Sequence, residues 1–332
     1  MSRGIAGLGA YAPRLRIETE TIAEALGPAD AGGIDRKAVP EADEDALTMA
    51  YEAAVRALAA ADVEGDTVRY LALATTTPPM EEEDLTARLA NMLGAPETVR
   101  THMETGSTRV GAAALDAALD TSHDGVGLVV ASDCPQGAPD SGIEHAAGAG
   151  AAAAVIDSSD AAVTDRASHV EPYSGTRFRE RGDGETTGLG ITQYDRDAFT
   201  GTLGAAVAEL STDPDTVDAA AVQSPDGKLP YRAAGTLGVE TATIAAASTV
   251  DTLGDTGAAS TLIGATRAFA DGAQRVLLAA YGSGAGATLL IVDGPVPIEA
   301  ALEGDTELSY ADYLRRRGEL TSGEPEGGGA YV

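Results

Sequence analysis

A single cysteine, Cys134, and four histidines, His102, His123, His145 and His169, are the side chains here that could act as nucleophile or base near neutral pH. A cysteine becomes reactive at a helix start or beside a base, whereas Cys134 follows the apolar run VGLVVASD, where a loop is expected. His145, in GIEHAAGAG, is read as structural, with a metal or base role as the alternative. The other three histidines are scattered without metal-ligand spacing, and one cysteine permits neither an intramolecular disulfide nor a sulfur-based cluster. The carboxylates of EADED from Glu41, and those from Glu81 to Asp84, could hold a cation, but carboxylates at helix starts, favoured by the helix dipole, explain them better. No metal site is therefore expected. Lysine occurs only at Lys37 and Lys228, so Lys228, in PDGKLP, stands out as a cation.

The elements that must position such groups repeat. An amphipathic helix carries Leu47, Tyr51, Val55 and Leu58 on one face, and VRYLALATTT from Val68 to Thr77 reads as a buried strand. A helix from Asp84 to Leu93 stops at Gly94, and a small-residue helix, GSTRVGAAALDAALD, follows from Gly106. Two strands, VGLVVASD and GAGAAAAVID, complete the first half. The second half replays the order: a helix from Phe199 to Leu210, the strand AAAVQSP, a short helix from Leu229 to Leu237, and a small-residue helix from Gly254. The strands QRVLLAAYGSG and GATLLIVDG close it, the latter as the last strand. This alternation implies an α/β fold of two similar βαβ-containing halves, 1–165 and 166–317, each with a largely parallel sheet. The small-residue helices form the central pair. The polar, irregular stretch from Arg166 to Thr202, with RFRERGDGETTG, joins the halves across a surface, and 318–332 is a flexible linker-like tail.

The chain has 332 residues, 52 Asp and Glu against 22 Lys and Arg, and a net charge of −30. Such a surface repels phosphate backbones and anionic headgroups, so neither nucleic acid nor membrane is an expected partner. Acid excess with almost no lysine, in a chain with only 4% aromatics, reads as halophilic adaptation, in which salt screens self-repulsion. No apolar run is long enough for a membrane span or signal peptide, so a cytoplasmic protein is expected.

Six segments, GIAGLGAYAPRLRI, VPEADEDALTMAYEAA, DCPQGAP, PDGKLP, YGSGAG and YADYLRRRGEL, resemble in this order the archaeal hydroxymethylglutaryl-CoA synthases of the thiolase superfamily. The resemblance implies a thiolase-like fold with mixed sheets sandwiching central helices, and coenzyme A thioester as ligand without any further cofactor. The family's reaction uses a cysteine, a histidine and a glutamate. Their positions carry over to Thr108 (or Ser107, by a one-residue slip), Gln223 and Thr76; a family asparagine carries over to Asp255. By the same resemblance Lys228 contacts a CoA phosphate, a plain surface cation being the alternative, and the amides of Gly282, Ser283 and Gly284 line the acyl pocket. For these glycines a plain turn between strands is an equal alternative.

A hydroxyl needs an adjacent base to act as nucleophile, and these substitutions supply none. Three functions stay open: a degenerate acyl-CoA-binding partner or scaffold, an active acyltransferase using Ser107, Thr108 or Cys134, and a purely structural subunit. The resemblance also implies association with a thiolase and a zinc-ribbon/OB-fold protein, and a homodimer.

Overall fold

Short runs of small and β-branched apolar residues pair as strands. In the computed structural model, which describes residues 3–29 and 31–320, these are β1 (Arg3–Tyr11), β2 (Leu15–Glu18), β3 (Arg36–Val39), β4 (Val68–Ala74), β5 (Arg100–Glu104), β6 (Val126–Asp133), β7 (Gly150–Ser158), β8 (Ala162–Val170), β9 (Ala219–Val222), β10 (Arg275–Gly282), β11 (Gly286–Asp293), β12 (Ile298–Ala301) and β13 (Thr306–Glu307). They build sheets of order β12-β1-β7-β6-β4-β5, β8-β11-β10-β9 and β13-β2-β3. From residue 321 on, the linker-like tail lies outside the described residues.

The repeat is written in the pairing. β1 runs antiparallel to β7, β7 antiparallel to β6, and β6 parallel to β4. β8, β11, β10 and β9 follow the same order with the same directions. Each sheet is therefore mixed, which corrects the expectation of largely parallel sheets: a link as short as Ser283–Ala285 between β10 and β11 can only return the chain antiparallel. GATLLIVDG is also not the last strand, because β12 follows and pairs in parallel with β1. The stretch from Arg166 to Thr202 is only partly irregular. β8 occupies its start and a helix, Thr192–Val207, begins well before Phe199.

The central helices, Val110–Asp120 and Ser260–Ala270, lie between the two large sheets. Alternate side chains of β4, β7 and β10 point to them, as Ala72, Ala154 and Leu278 do, and share one core with Leu115, Leu262 and Ile263. The opposite faces, with Leu71, Val155 and Leu277, pack under outer helices. The result is five alternating layers of helix and sheet. Close approach depends on glycine: a methyl group on Gly111 would sit 2.2 Å from the Ala258 carbonyl oxygen, so the starts of the two central helices touch backbone to backbone.

The helix Ala46–Ala60 is capped by Asp45, whose carboxylate accepts from the Leu47 and Thr48 amides. Its most deeply buried stripe is Ala46, Met49, Ala50, Ala53, Ala54 and Ala57, while Tyr51 and Val55 are only half-buried. The helix lies flat on β1, where a methyl on Gly9 would stand 2.3 Å from the Ala53 carbonyl, so small residues face the sheet and larger ones flank it. No described helix is long and apolar enough to cross a membrane.

Candidate active site

The carboxyl ends of β4, β6, β9 and β10 converge on the amino-terminal ends of the central helices, the crevice where open α/β sheets place ligands. Thr108 occupies the turn before the first central helix, nearly fully buried, and its hydroxyl donates to the Tyr281 carbonyl at 2.8 Å. Ser107 fills the space where a side chain at position 282 would point, and its Oγ is closed off from solvent with no hydrogen-bond partner among the described residues. Gln223, just past β9, donates through Nε2 to the Gly257 carbonyl at 2.8 Å, leaving its Oε1 unpartnered among the described residues. A carboxamide held this way orients backbone and carries no titratable proton.

Thr76 ends the β4 run on Asp133, a residue that sequence reasoning passed over. Asp133 Oδ1 accepts from the Thr75 hydroxyl at 2.9 Å, the Thr76 amide at 2.6 Å, and the Thr77 amide and hydroxyl at 3.0 and 2.9 Å. Its Oδ2 accepts from the Thr76 hydroxyl at 2.7 Å and from the Ala258 amide at 2.6 Å. One fully buried carboxylate thus ties β4 and β6 to the second central helix. With both oxygens committed to neutral donors, it serves as a structural acceptor and leaves no free lone pair directed to a substrate proton. The available signal was a lone acid closing an all-apolar strand.

A strap from Gly175 to Leu189 closes over this crevice, held to itself by reciprocal Phe178–Thr187 backbone hydrogen bonds of 2.8 Å. Three arginines at alternate positions fasten it. Arg177 pairs with buried Asp255, Arg179 Nη2 donates to the Thr76 carbonyl at 2.5 Å, and Arg181 reaches Glu81 at 2.8 Å. Thr76, Ser107, Thr108, Ser283, Arg177 and Arg179 line a cavity of about 120 Å³ beneath it. A second, more open cavity of about 460 Å³, lined by Arg109, Glu171 and Gly284, also shares Ser107 and Ser283. Of the residues singled out in the sequence, Thr76, Ser107, Thr108, Ser283 and Gly284 therefore line adjoining cavities, Gln223 and Asp255 sit behind them, and Gly282 packs on Ser107. Lys228 is elsewhere, exposed, with Nζ over Gly32 and no ion pair among the described residues.

Cys134 lies on the far side of the sheet, packed against the outer layer. Burial, together with the neighbouring Asp133 charge, pushes its thiol up to about 12, and its near polar neighbour is the Thr77 hydroxyl at 3.9 Å. No histidine or cysteine lines either cavity among the described residues. His145 is buried with Nε2 3.3 Å from Asp140 and 3.6 Å from Glu144. The acidic clusters have structural partners: Glu44 accepts from the Tyr11 hydroxyl, Glu41 pairs with Arg14 at 2.5 Å, and Asp84 accepts from the Thr86 amide at 3.0 Å. Among the described residues, no three His, Cys, Asp or Glu side chains are grouped to hold a metal.

No family model matches the chain. Among curated proteins, it is 30% identical over 347 residues to the hydroxymethylglutaryl-CoA synthase of Methanopyrus kandleri, covering 97% of this chain and 95% of that protein. It is also 30% identical to the Methanosarcina acetivorans enzyme of the same name, covering 96% and 99%. Among solved structures, MvaS in complex with 3-hydroxy-3-methylglutaryl coenzyme A superposes with a TM-score of 0.82 at 19% identity, covering 99% of this chain and 94% of that one. The 3-oxoacyl-(acyl carrier protein) synthase III of Pseudomonas aeruginosa superposes with a TM-score of 0.78 at 16% identity, covering 90% and 100%. These superpositions establish the thiolase-like fold.

Proposed function

The chain belongs to the hydroxymethylglutaryl-CoA synthase family, and we propose that it binds an acyl-CoA thioester without forming a covalent acyl-enzyme, acting as partner or scaffold of an active thiolase-type enzyme. What supports this reading is the chemistry at the start of the first central helix. The position assigned to the family's cysteine carries Thr108, or by a one-residue slip Ser107, and the Thr108 proton is given to a backbone carbonyl. The positions assigned to the family's histidine and glutamate carry Gln223 and Thr76, neither of which can take that proton near neutral pH. An alcohol without a base is a poor nucleophile, and the one thiol is half-buried on the wrong face of the sheet with its proton firmly held.

Ligand binding is the retained half of the function. Two solved relatives in fold are complexes with 3-hydroxy-3-methylglutaryl coenzyme A and with CoA, and this chain keeps the crevice, with Ser283 and Gly284 on its walls. Lys228 supplies the exposed cation for a CoA phosphate. The proposed assembly pairs the chain with a thiolase and a zinc-ribbon/OB-fold protein; a homodimer in the cytoplasm, soluble through its acidic surface at high salt, completes the proposal.

Steady-state assay of the purified chain at high salt with acetyl-CoA and acetoacetyl-CoA is expected to give no release of free CoA above the rate of the Thr108→Ala variant. Calorimetry is expected to register acetyl-CoA binding in both. CoA release that depends on Thr108 would overturn the non-catalytic reading, and absence of any CoA binding would leave a purely structural subunit.

A further inference from the structure

Phe178 and Leu189 of the strap stay exposed, so its closure buries little apolar surface and rests on polar contacts that can be lost together. Two of those contacts lead to the connection between β6 and β7, residues 134–149. Thr186 donates its amide to the Gln136 carbonyl at 2.6 Å and bridges Gly137 in parallel. Arg177 pairs with Asp255, whose own backbone is clamped between the Ala146 carbonyl at 2.7 Å and the Gly148 amide at 3.0 Å. Both ends of the strap therefore rest on this connection.

The carboxyl-terminal helix, Tyr310–Arg316, and its cap residue Arg317 grip the same connection. The Arg317 side chain, only 7% exposed, donates through Nη2 to the Gly137 carbonyl at 2.7 Å, and its Nη1 stands 3.9 Å from the Glu144 carboxylate. Tyr313, one turn earlier, donates its hydroxyl to that carboxylate. Gly137 thus meets both Thr186 and Arg317. A methyl group on it would stand 2.5 Å from the Glu144 amide nitrogen and 2.9 Å from Ser141 Oγ, so the turn is packed hard on the helix Gly142–Ala146 and shifts with it.

We infer that the carboxyl-terminal helix is the latch of the strap: when it releases Gly137 and Glu144 the connection relaxes and the strap opens, and when the strap lifts the helix loosens in turn. Coupling between two sites is a free energy that acts equally in both directions. A packed connection with polar contacts to each site is an element that both can bias. Whatever takes hold of this helix thereby sets access to the crevice. The latch operates whatever the crevice binds, so its test is independent of the acyl-CoA reading.

Hydrogen–deuterium exchange of the full chain at high salt, read residue by residue, tests this with two variants. Arg317→Gln removes the grip on Gly137. It is expected to speed exchange of the Phe178 and Thr187 amides, whose hydrogen bonds are to each other, by about tenfold, the size of one charge-assisted hydrogen bond. Arg179→Gln frees the strap at the Thr76 carbonyl, away from the connection, and is expected to speed exchange of the Arg317 amide several-fold. Amides of β6 and β10 should keep their parent rates in both variants. Faster exchange confined to residues 310–317 in Arg317→Gln, with the strap unchanged, would overturn the inference. So would a strap response without its reciprocal, or acceleration that extends to β6 and β10, which reports lost global stability and not a latch.

Discussion

Replacing Asp133 by asparagine is expected to cost about 3–5 kcal/mol of stability, read as a lowered midpoint of denaturant unfolding at high salt. An amide keeps the shape but turns one accepting oxygen into a donor. If it replaces Oδ2, the Ala258 amide faces another N–H inside a dry junction; if it replaces Oδ1, the Thr76 and Thr77 amides do. Each such orphan costs about 1–3 kcal/mol, and the charge-assisted strength of the surviving bonds is lost as well. Because the same carboxylate joins β4, β6 and the second central helix, the loss extends to the crevice. A change under about 1 kcal/mol would show that these contacts do not hold the junction.

The second large effect lies at Lys37. Its ammonium, 1% exposed, donates to the Glu144 carboxylate at 3.1 Å, to the Tyr313 hydroxyl at 2.8 Å and to the Glu144 carbonyl, so all its protons are used. Arg317 approaches the same carboxylate at 3.9 Å. The cluster pins β3 and the helix Gly142–Ala146 to the carboxyl-terminal helix Tyr310–Arg316. Lys37→Met leaves Glu144 buried beside one distant cation and is expected to cost about 3 kcal/mol or more, and Lys37→Met with Glu144→Leu is expected to recover most of it, because a buried pair is dispensable where half a pair is not. Burial alone favours the neutral acid, but Lys37 and the Tyr313 hydroxyl outweigh it and hold Glu144 below the usual carboxylate range. The unfolded glutamate therefore takes up its proton at higher pH than the folded one. This contribution is complete above about pH 4.5 and disappears as pH falls through the lower folded value. In acid titrations the double variant should lose less stability than the parent; equal losses would place the acid-sensitive group elsewhere.

The duplicated architecture was legible because each half closes with the same helix, strand and strand, and buried strands announce themselves as apolar runs of limited length. Strand direction was less legible. Alternation of helix and strand suggested parallel sheets, and only the brevity of Ser283–Ala285 argues otherwise for β10 and β11. β1 escaped notice because GIAGLGAY is rich in glycine, whose role there is to admit the helix Ala46–Ala60 and not to turn the chain. At the site, aligned landmarks brought Thr76, Ser107 and Thr108 to one cavity. Arg177 and Arg179 were visible only as part of a polar stretch, since what a strap covers is decided by long-range packing. The two lysines make the same point: Lys228 drew attention for its rarity and is exposed, whereas Lys37, passed over, is the buried one. Sequence spacing carries no record of which cation an acid will meet across the fold.

The central claim is that the alcohol at the head of the first central helix is not acylated. The intact mass of the full chain after incubation with acetyl-CoA at high salt tests it most directly. An unchanged mass is expected for the parent protein and for Thr108→Ala alike. An added acetyl group, present in the parent, mapped to Thr108 or Ser107 and absent from the corresponding alanine variant, would contradict it.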